Sequence, residues 1–164
     1  MIDIEKKLLG NNLSNLGRSA DMLWLSIGKP LVIELKQNKE KREATEYAIH
    51  FQCQWRFVKD GKILLASHDI YNLYNNSLQY DDSWDWDVFG REKEQSSIFD
   101  VRSSEFKDEF IPLRIENIYF AETSDLHIDL DYGVRFDTFI TCSARQEYYR
   151  LLDHHTNEHY VVYE

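Results

Sequence analysis

The chain has 164 residues, with 29 Asp and Glu against 19 Lys and Arg for a formal net charge of -10, and it is 43% hydrophobic with 9 Phe, 10 Tyr and 4 Trp. That length fits one domain, and the bulky apolar content is enough to close a core, which an acidic disordered tail could not do. Apolar runs such as Ile63-Leu64-Leu65-Ala66 fall far short of the ~18 residues of a membrane helix, and Met1 to Lys7 has early acids and no signal-peptide core, so a soluble cytoplasmic protein is expected.

Residues 3–9 read as a short helix with Asp3 as N-cap, followed by strands at Met22 to Ile27 and Leu31 to Leu35 around Gly28-Lys29-Pro30. Residues 36–46 then form a charged connection. From Tyr47 to Phe57 the odd positions Tyr47, Ile49, Phe51, Cys53, Trp55 and Phe57 alternate with His50, Gln52, Gln54 and Arg56, the pattern of a strand with one buried face. Asp60-Gly61 signals a two-residue hairpin loop pairing Lys59 with Lys62 and returning a strand from Ile63 to Tyr71. That register sets Phe57 opposite Leu64, Trp55 opposite Ala66, Cys53 opposite His68, Gln52 opposite Asp69 and His50 opposite Tyr71.

Residues 72–110 lack sustained periodicity and read as a long irregular insertion with one helical turn near 103–109. From Leu113 strands resume. A turn at Thr123-Ser124-Asp125 aligns Phe120 with Ile128 and Ile118 with Leu130, and a loop at Asp131-Tyr132-Gly133 pairs Ile128 with Phe136 and Leu130 with Val134. Ser143 to Gln146 has a capping-box pattern predicting one helical turn before a strand at Tyr148 to Asp153, with a helix over 144–152 as the rival reading. A turn at 154–157 leads to a last strand, His159 to Tyr163. The expected fold is mainly β, α+β at the margin: a single-domain antiparallel meander over residues 1–164, forming a sandwich or partly open barrel with one or two short helices.

The segment Ala48-Ile49-His50-Phe51-Gln52-Cys53-Gln54-Trp55-Arg56 resembles the A-L-H-x-Q-C-x-W-R strand motif of a family of small uncharacterised bacterial proteins. Gly17-Arg18-Ser19-Ala20-Asp21-Met22-Leu23-Trp24 resembles that family's G-R-A-A-D-x-x-W, and Ser67-His68-Asp69-Ile70-Tyr71 its S-R-D-x-Y with His68 at the Arg position. Trp84-Asp85-Trp86 and Tyr149-Arg150-Leu151 are similar to its later motifs. The resemblance implies a single bacterial domain and assigns no chemistry.

The stated register gathers His50, Gln52, Gln54, Arg56, Ser67, Asp69 and Tyr71 on one polar face, which either is solvated cross-strand pairing or lines a concavity where Arg56 holds an anion and His50 or Asp69 moves protons. Arg18 and Asp21 either join that face or pair with each other. Trp84 and Trp86, alternating with Asp, are either anchors onto the domain or a partner-binding hot spot. The acids of 81–87 lack the Gly and terminal Glu of a calcium loop, and His154, His155 and His159 read as solvated, so no metal is expected. Cys53 and Cys142 fall on apolar strand positions and read as buried reduced thiols. No cofactor fingerprint, nucleophile elbow or P-loop is present, and no catalytic residue is assigned. A charge of -10 opposes nucleic acid, and the basic run Lys36 to Arg42 reads as a solvated loop. The leading expectation is a non-catalytic protein-binding domain, immunity- or antitoxin-like toward a basic partner, and the alternative is a small anionic-ligand binder or enzyme on the polar hairpin face.

Overall fold

The computed structural model describes residues 2–34, 39–75, 84–88 and 90–163. Helix α1, Ile2–Leu8, forms as the sequence predicts, and is followed by a strand that the sequence reading leaves out, β1, Asn12–Ser19. Its buried positions Leu13 and Leu16 are three apart because a bulge lies between Leu13 and Asn15, and an extra residue hides the period of two. Strand β2, Met22–Glu34, is continuous where two strands are expected. Gly28 sits at φ 89° and the pairing skips between Ile27 and Pro30, so Gly28-Lys29-Pro30 is a bulge inside one strand. Strand β3, Lys41–Phe51, pairs along the whole of β2 and absorbs much of the expected charged connection. The side chain of Asp3, and Leu35, Lys36, Asn76, Asp81 and Asp82, on which other expectations rest, lie outside the described residues.

The expected continuous strand 47–57 is broken. Strand β4, Gln54–Lys59, begins after a bend at Gln52-Cys53, whose two amides both donate to the Tyr148 carbonyl at 2.8 and 3.2 Å. Through this bend the chain passes from the β2 neighbourhood to that of strand β8, Arg135–Phe139. The Asp60-Gly61 hairpin closes as expected, with Lys59 opposite Lys62 and Val58 opposite Ile63, into strand β5, Lys62–Ala66. One step later the register slips, so that Phe57 faces Leu65 and Arg56 faces Ala66, against the expected Phe57 with Leu64 and Trp55 with Ala66. The bulge buries Leu65 fully and leaves Ile63 54% exposed. Packing against Phe57 thus outweighs the parity of the isoleucine. The strand then stops, because Ser67–Tyr71 is a 3-10 helix whose first turn is held by Asp69 accepting the Ala66 amide proton at 2.8 Å.

Within the insertion, residues 98–110 form a full helix, α2, Ile98–Phe110, longer than the expected turn. Ser97 caps it by accepting from the Asp100 amide, and Phe99, Ser103 and Phe106 are its buried face. Strand β6, Leu113–Phe120, pairs with β7, Leu126–Leu130, as Phe120 with Leu126 and Ile118 with Ile128, two residues off the expected alignment. The three-residue loop sits one position earlier than expected, at Glu122-Thr123-Ser124, closed by Ala121 N–H donating to the Asp125 carbonyl, and the resulting shift of two preserves which side chains face inward. Between β7 and β8, Ile128 faces Phe136 and Leu130 closes on Val134 as expected, with both Tyr132 and Gly133 in the left-handed region. Residues 147–153 are strand β9, Glu147–Asp153, as the leading reading expects and against the rival helix, while Ser143 to Gln146 makes a bend and not the expected helical turn: Tyr148, Tyr149 and Leu151 are buried between strands, and β9 hydrogen-bonds β3 on one side and β10, Glu158–Tyr163, on the other.

Among the described residues these ten strands make one antiparallel sheet in the order β10-β9-β3-β2-β1-β6-β7-β8-β4-β5, so the mainly β expectation holds. Only Asn12 and Leu13 join β1 to β6, and this narrow seam lets the sheet bend over its own core. Phe51 of β3 meets Phe136 of β8 with ring centroids 5.0 Å apart, and Phe120 of β6 stacks on Tyr149 of β9 across the interior. Trp55, Phe57 and Phe136 pack with Phe99 and Phe106, so α2 closes the side that the strands leave open. Cys53 packs against this core, where burial pushes its thiol up to about 12, whereas Cys142 lies beyond the end of β8 and is exposed, against expectation. No helix among the described residues is long and apolar enough to cross a membrane.

Candidate functional site

The bend at Gln52 and the early end of β5 break up the expected seven-residue face. His50 lies on β3 between Trp24 and Arg150, half-buried, and burial lowers its pKa with Arg150, His154 and Arg42 pushing the same way. Gln52 is exposed at the bend and has no β5 partner. Asp69 serves the backbone of its own turn, and burial raises its pKa against the Ala66 hydrogen bond. Arg56 stays with Gln54 and Ser67, while Tyr71 leaves the group altogether.

Tyr71 arrives instead beside Asp21, Trp86 and Arg18. The Arg18 side chain, 1% exposed, points from β1 into the junction between the sheet, α2 and the 84–88 loop. Its Nε and Nη2 donate to the two oxygens of Asp100 at 2.8 and 2.9 Å, Nη2 also donates to the Trp86 carbonyl at 2.8 Å, and Nη1 donates to the Ala20 carbonyl at 2.9 Å. One guanidinium thus ties three chain segments together, and the bidentate geometry is one only arginine provides. Above it Tyr71 donates its hydroxyl proton to Asp21 at 2.9 Å and meets the Trp86 ring edge-to-face at 5.0 Å. Burial and then the Asp21 carboxylate raise the Tyr71 pKa, so the phenol stays protonated and keeps donating. Tyr71, Asp21, Asp85, Asp87 and Val88 are exposed around this centre, and Asp87 reaches to 3.8 Å of Arg18. The two tryptophans divide: Trp84 donates its indole N–H to the Gln95 carbonyl as an anchor, and Trp86 is half-buried against the core with its ring turned to Tyr71.

A second polar group was not found by sequence reasoning. Asp137, only 3% exposed at its side chain, sits on the outer side of β8 with His127 Nδ1 at 2.8 Å and Arg135 Nε at 3.0 Å. Arg56 lies next to it on β4 with Nε 3.7 Å away, and Tyr119 of β6 stacks on His127 at 4.7 Å. The row Tyr119, His127, Asp137, Arg56 crosses four neighbouring strands. Its sequence signal is the polar alternation at His127, Asp129, Arg135 and Asp137, which becomes meaningful only once β4 is known to lie beside β8.

A third group fastens the ends of the chain. Lys7 of α1 donates to Asp153 at 2.7 Å and to Tyr160 at 3.1 Å, and Asp153 also accepts from the amides of His155 and Thr156. Burial alone would raise the Asp153 pKa, but these bonds outweigh it and hold the carboxyl below its ordinary value. His154 is half-buried and bonds the Thr45 carbonyl, and His155 lies 3.3 Å from Glu46, so of the three histidines expected to be solvated two have partners. Among the described residues no group of three or more metal-ligating side chains converges. Comparison of the chain with protein-family models, with curated proteins and with solved structures returns no match, and the sites are therefore read from their own chemistry.

Proposed function

We propose that this chain is a non-catalytic protein-binding domain, immunity- or antitoxin-like in a bacterial cytoplasm, that docks a basic protein on the surface around Tyr71 and Trp86. The observation that carries the reading is the Arg18 clamp. It holds two aromatic rings and three exposed acids, Asp21, Asp85 and Asp87, in fixed relation although they come from three separate segments. Aromatic anchors bordered by charge are the usual make-up of binding hot spots, and carboxylates beside them favour Lys and Arg on the partner. The net charge of -10 adds long-range attraction for a basic protein and speeds its encounter.

The test is affinity capture from the native cell extract with wild-type protein and with a Tyr71→Ala, Asp21→Asn, Asp87→Asn variant. The expected result is a basic protein retained by wild type, released as salt rises, and bound at least about tenfold more weakly by the variant. Repeated low-salt captures that return no specific protein, or a partner that the variant retains equally, would refute the proposal.

A further inference from the structure

Arg18 and Arg56 are opposite cases of the same side chain. The Arg18 guanidinium donates four hydrogen bonds, whereas the Arg56 side chain donates none to any described residue: its Nε is buried without an acceptor, and Asp137 stands 3.7 Å off, beyond hydrogen-bond reach. Asp137 is already taken, with Oδ1 at 2.8 Å from His127 and Oδ2 at 3.1 Å from Arg135. The carboxylate keeps Arg56 in place by charge, and the Phe139 ring supports its guanidinium from below at 4.7 Å. Its Nη groups donate to no described residue and its side chain is 39% exposed, so a guanidinium supported by an aromatic ring keeps these N–H donors for an oxyanion.

The surroundings fit that use. Arg56 borders an open hollow of about 340 Å³ whose other lining residues are Gln54, Trp55, Ala66, Ser67, His68 and Phe139. Among the described residues no carboxylate lines it. Gln54 and His68 are exposed and hold no ion pair among the described residues, and Ser67 Oγ accepts from the Trp55 amide at 3.5 Å, which leaves its own proton to give. Gln54, Ser67 and His68 therefore add donors of three kinds around one cation, with an aromatic floor beside them. The hollow on the other side of Arg56 is a poorer candidate, because Asp60 lines it and its Arg135 is committed to Asp137.

We infer that the hollow between Gln54, Arg56, Ser67 and His68 binds a small organic oxyanion, a carboxylate or phosphate ester with a flat apolar body that lies against Phe139. The site is separate from the Tyr71 and Trp86 surface, so either proposal can fail alone. The test is a titration of isotope-labelled protein with phenyl phosphate, following the amide signals of Gln54, Ser67 and His68 and the Arg56 Nε–H. Saturable shifts at these groups with a dissociation constant of about 1 mM are expected, as for a fragment of this size. Arg56→Gln is expected to weaken binding at least about tenfold. Gln54→Glu, which sets a carboxylate beside the guanidinium and leaves Asp137 and Phe139 untouched, is expected to weaken it as much. The inference is overturned if no saturable shift occurs at these groups up to about 20 mM. It is equally overturned if either folded variant titrates like wild type.

Discussion

Replacing Arg18 by Met keeps most of the apolar stem and removes the guanidinium from a site where its side chain is 1% exposed. Four hydrogen bonds disappear, two to Asp100 and one each to the carbonyls of Ala20 and Trp86. Removing one partner of a buried ion pair costs about 3–5 kcal/mol, mainly because the other charge is stranded. Asp100 keeps 23% of its side-chain surface and can recover some hydration, which places the expected loss near the lower end, about 3 kcal/mol. For a chain of this length that is a fall of about 6–12 °C in midpoint temperature. Arg18→Lys, which can serve one or two of the four acceptors, is expected to lose about 2 kcal/mol. Urea denaturation of Arg18→Met, Asp100→Asn and the double variant gives the coupling, expected to exceed about 1 kcal/mol because the two residues share one contact. Hydrogen exchange reads the local consequence, with faster exchange across 84–88 once the Trp86 carbonyl loses its donor. A loss below about 1 kcal/mol for Arg18→Met, or additive single variants, would refute the view that this contact organises the site.

Gly17→Ala drives a Cβ into the Trp24 ring and is expected to cost about 1–3 kcal/mol in urea denaturation, with most of that cost gone in a Trp24→Leu background. Leu65→Ala is expected to lose about 2–5 kcal/mol and Ile63→Ala no more than about 0.5 kcal/mol, since the bulge in β5 buries the first and exposes the second; the same denaturation series measures both. Asp153 has a folded pKa below its ordinary 3.8, so its stabilisation is fully present above about pH 4 and is lost as pH falls through the folded value. Midpoint temperatures taken down to about pH 2 are expected to fall less steeply for Asp153→Asn than for wild type.

Much of the fold is legible in the chain because alternation and turn chemistry are local. The β7–β8 pairing follows from Leu130 and Val134 around a Gly that tolerates φ 73°, and the Lys59–Lys62 closure follows from Asp60-Gly61. What fails is whatever a bulge alters. An extra residue at Leu13 to Asn15 hides β1, and another at Leu64 moves every later position of the hairpin by one. The break at Gln52-Cys53 has no local signal at all. It exists because Tyr148, almost a hundred residues away, presents a carbonyl that accepts both amides. Helix α2 is legible over more than the one turn expected near 103–109: Ser97 with Asp100 three residues on is a capping pattern, and Phe99, Phe106 and Phe110 recur at helical spacing within a charged stretch that masks them.

The site separates along the same line. Arg18, Asp21, Tyr71 and Trp86 were each identifiable as candidates by residue type, yet their meeting depends on where the chain returns after the insertion, and Asp100, which decides the role of Arg18, was not among them. Residue type could not distinguish Arg18 from Arg56 either. Both lie on strands close to an interior residue, Leu16 and Trp55, and both have an acid within reach in the folded chain. The difference lies in how many groups share that acid. Asp100 gives both oxygens to one guanidinium, which is thereby spent on architecture. Asp137 divides its oxygens between His127 and Arg135 and holds Arg56 only at a distance, so the charge is positioned while its Nη donors stay available. Positioning without saturation is what ligand recognition requires, because a donor already paired must first give up a bond. On that ground Arg18 belongs to the scaffold of one surface and Arg56 to the chemistry of another.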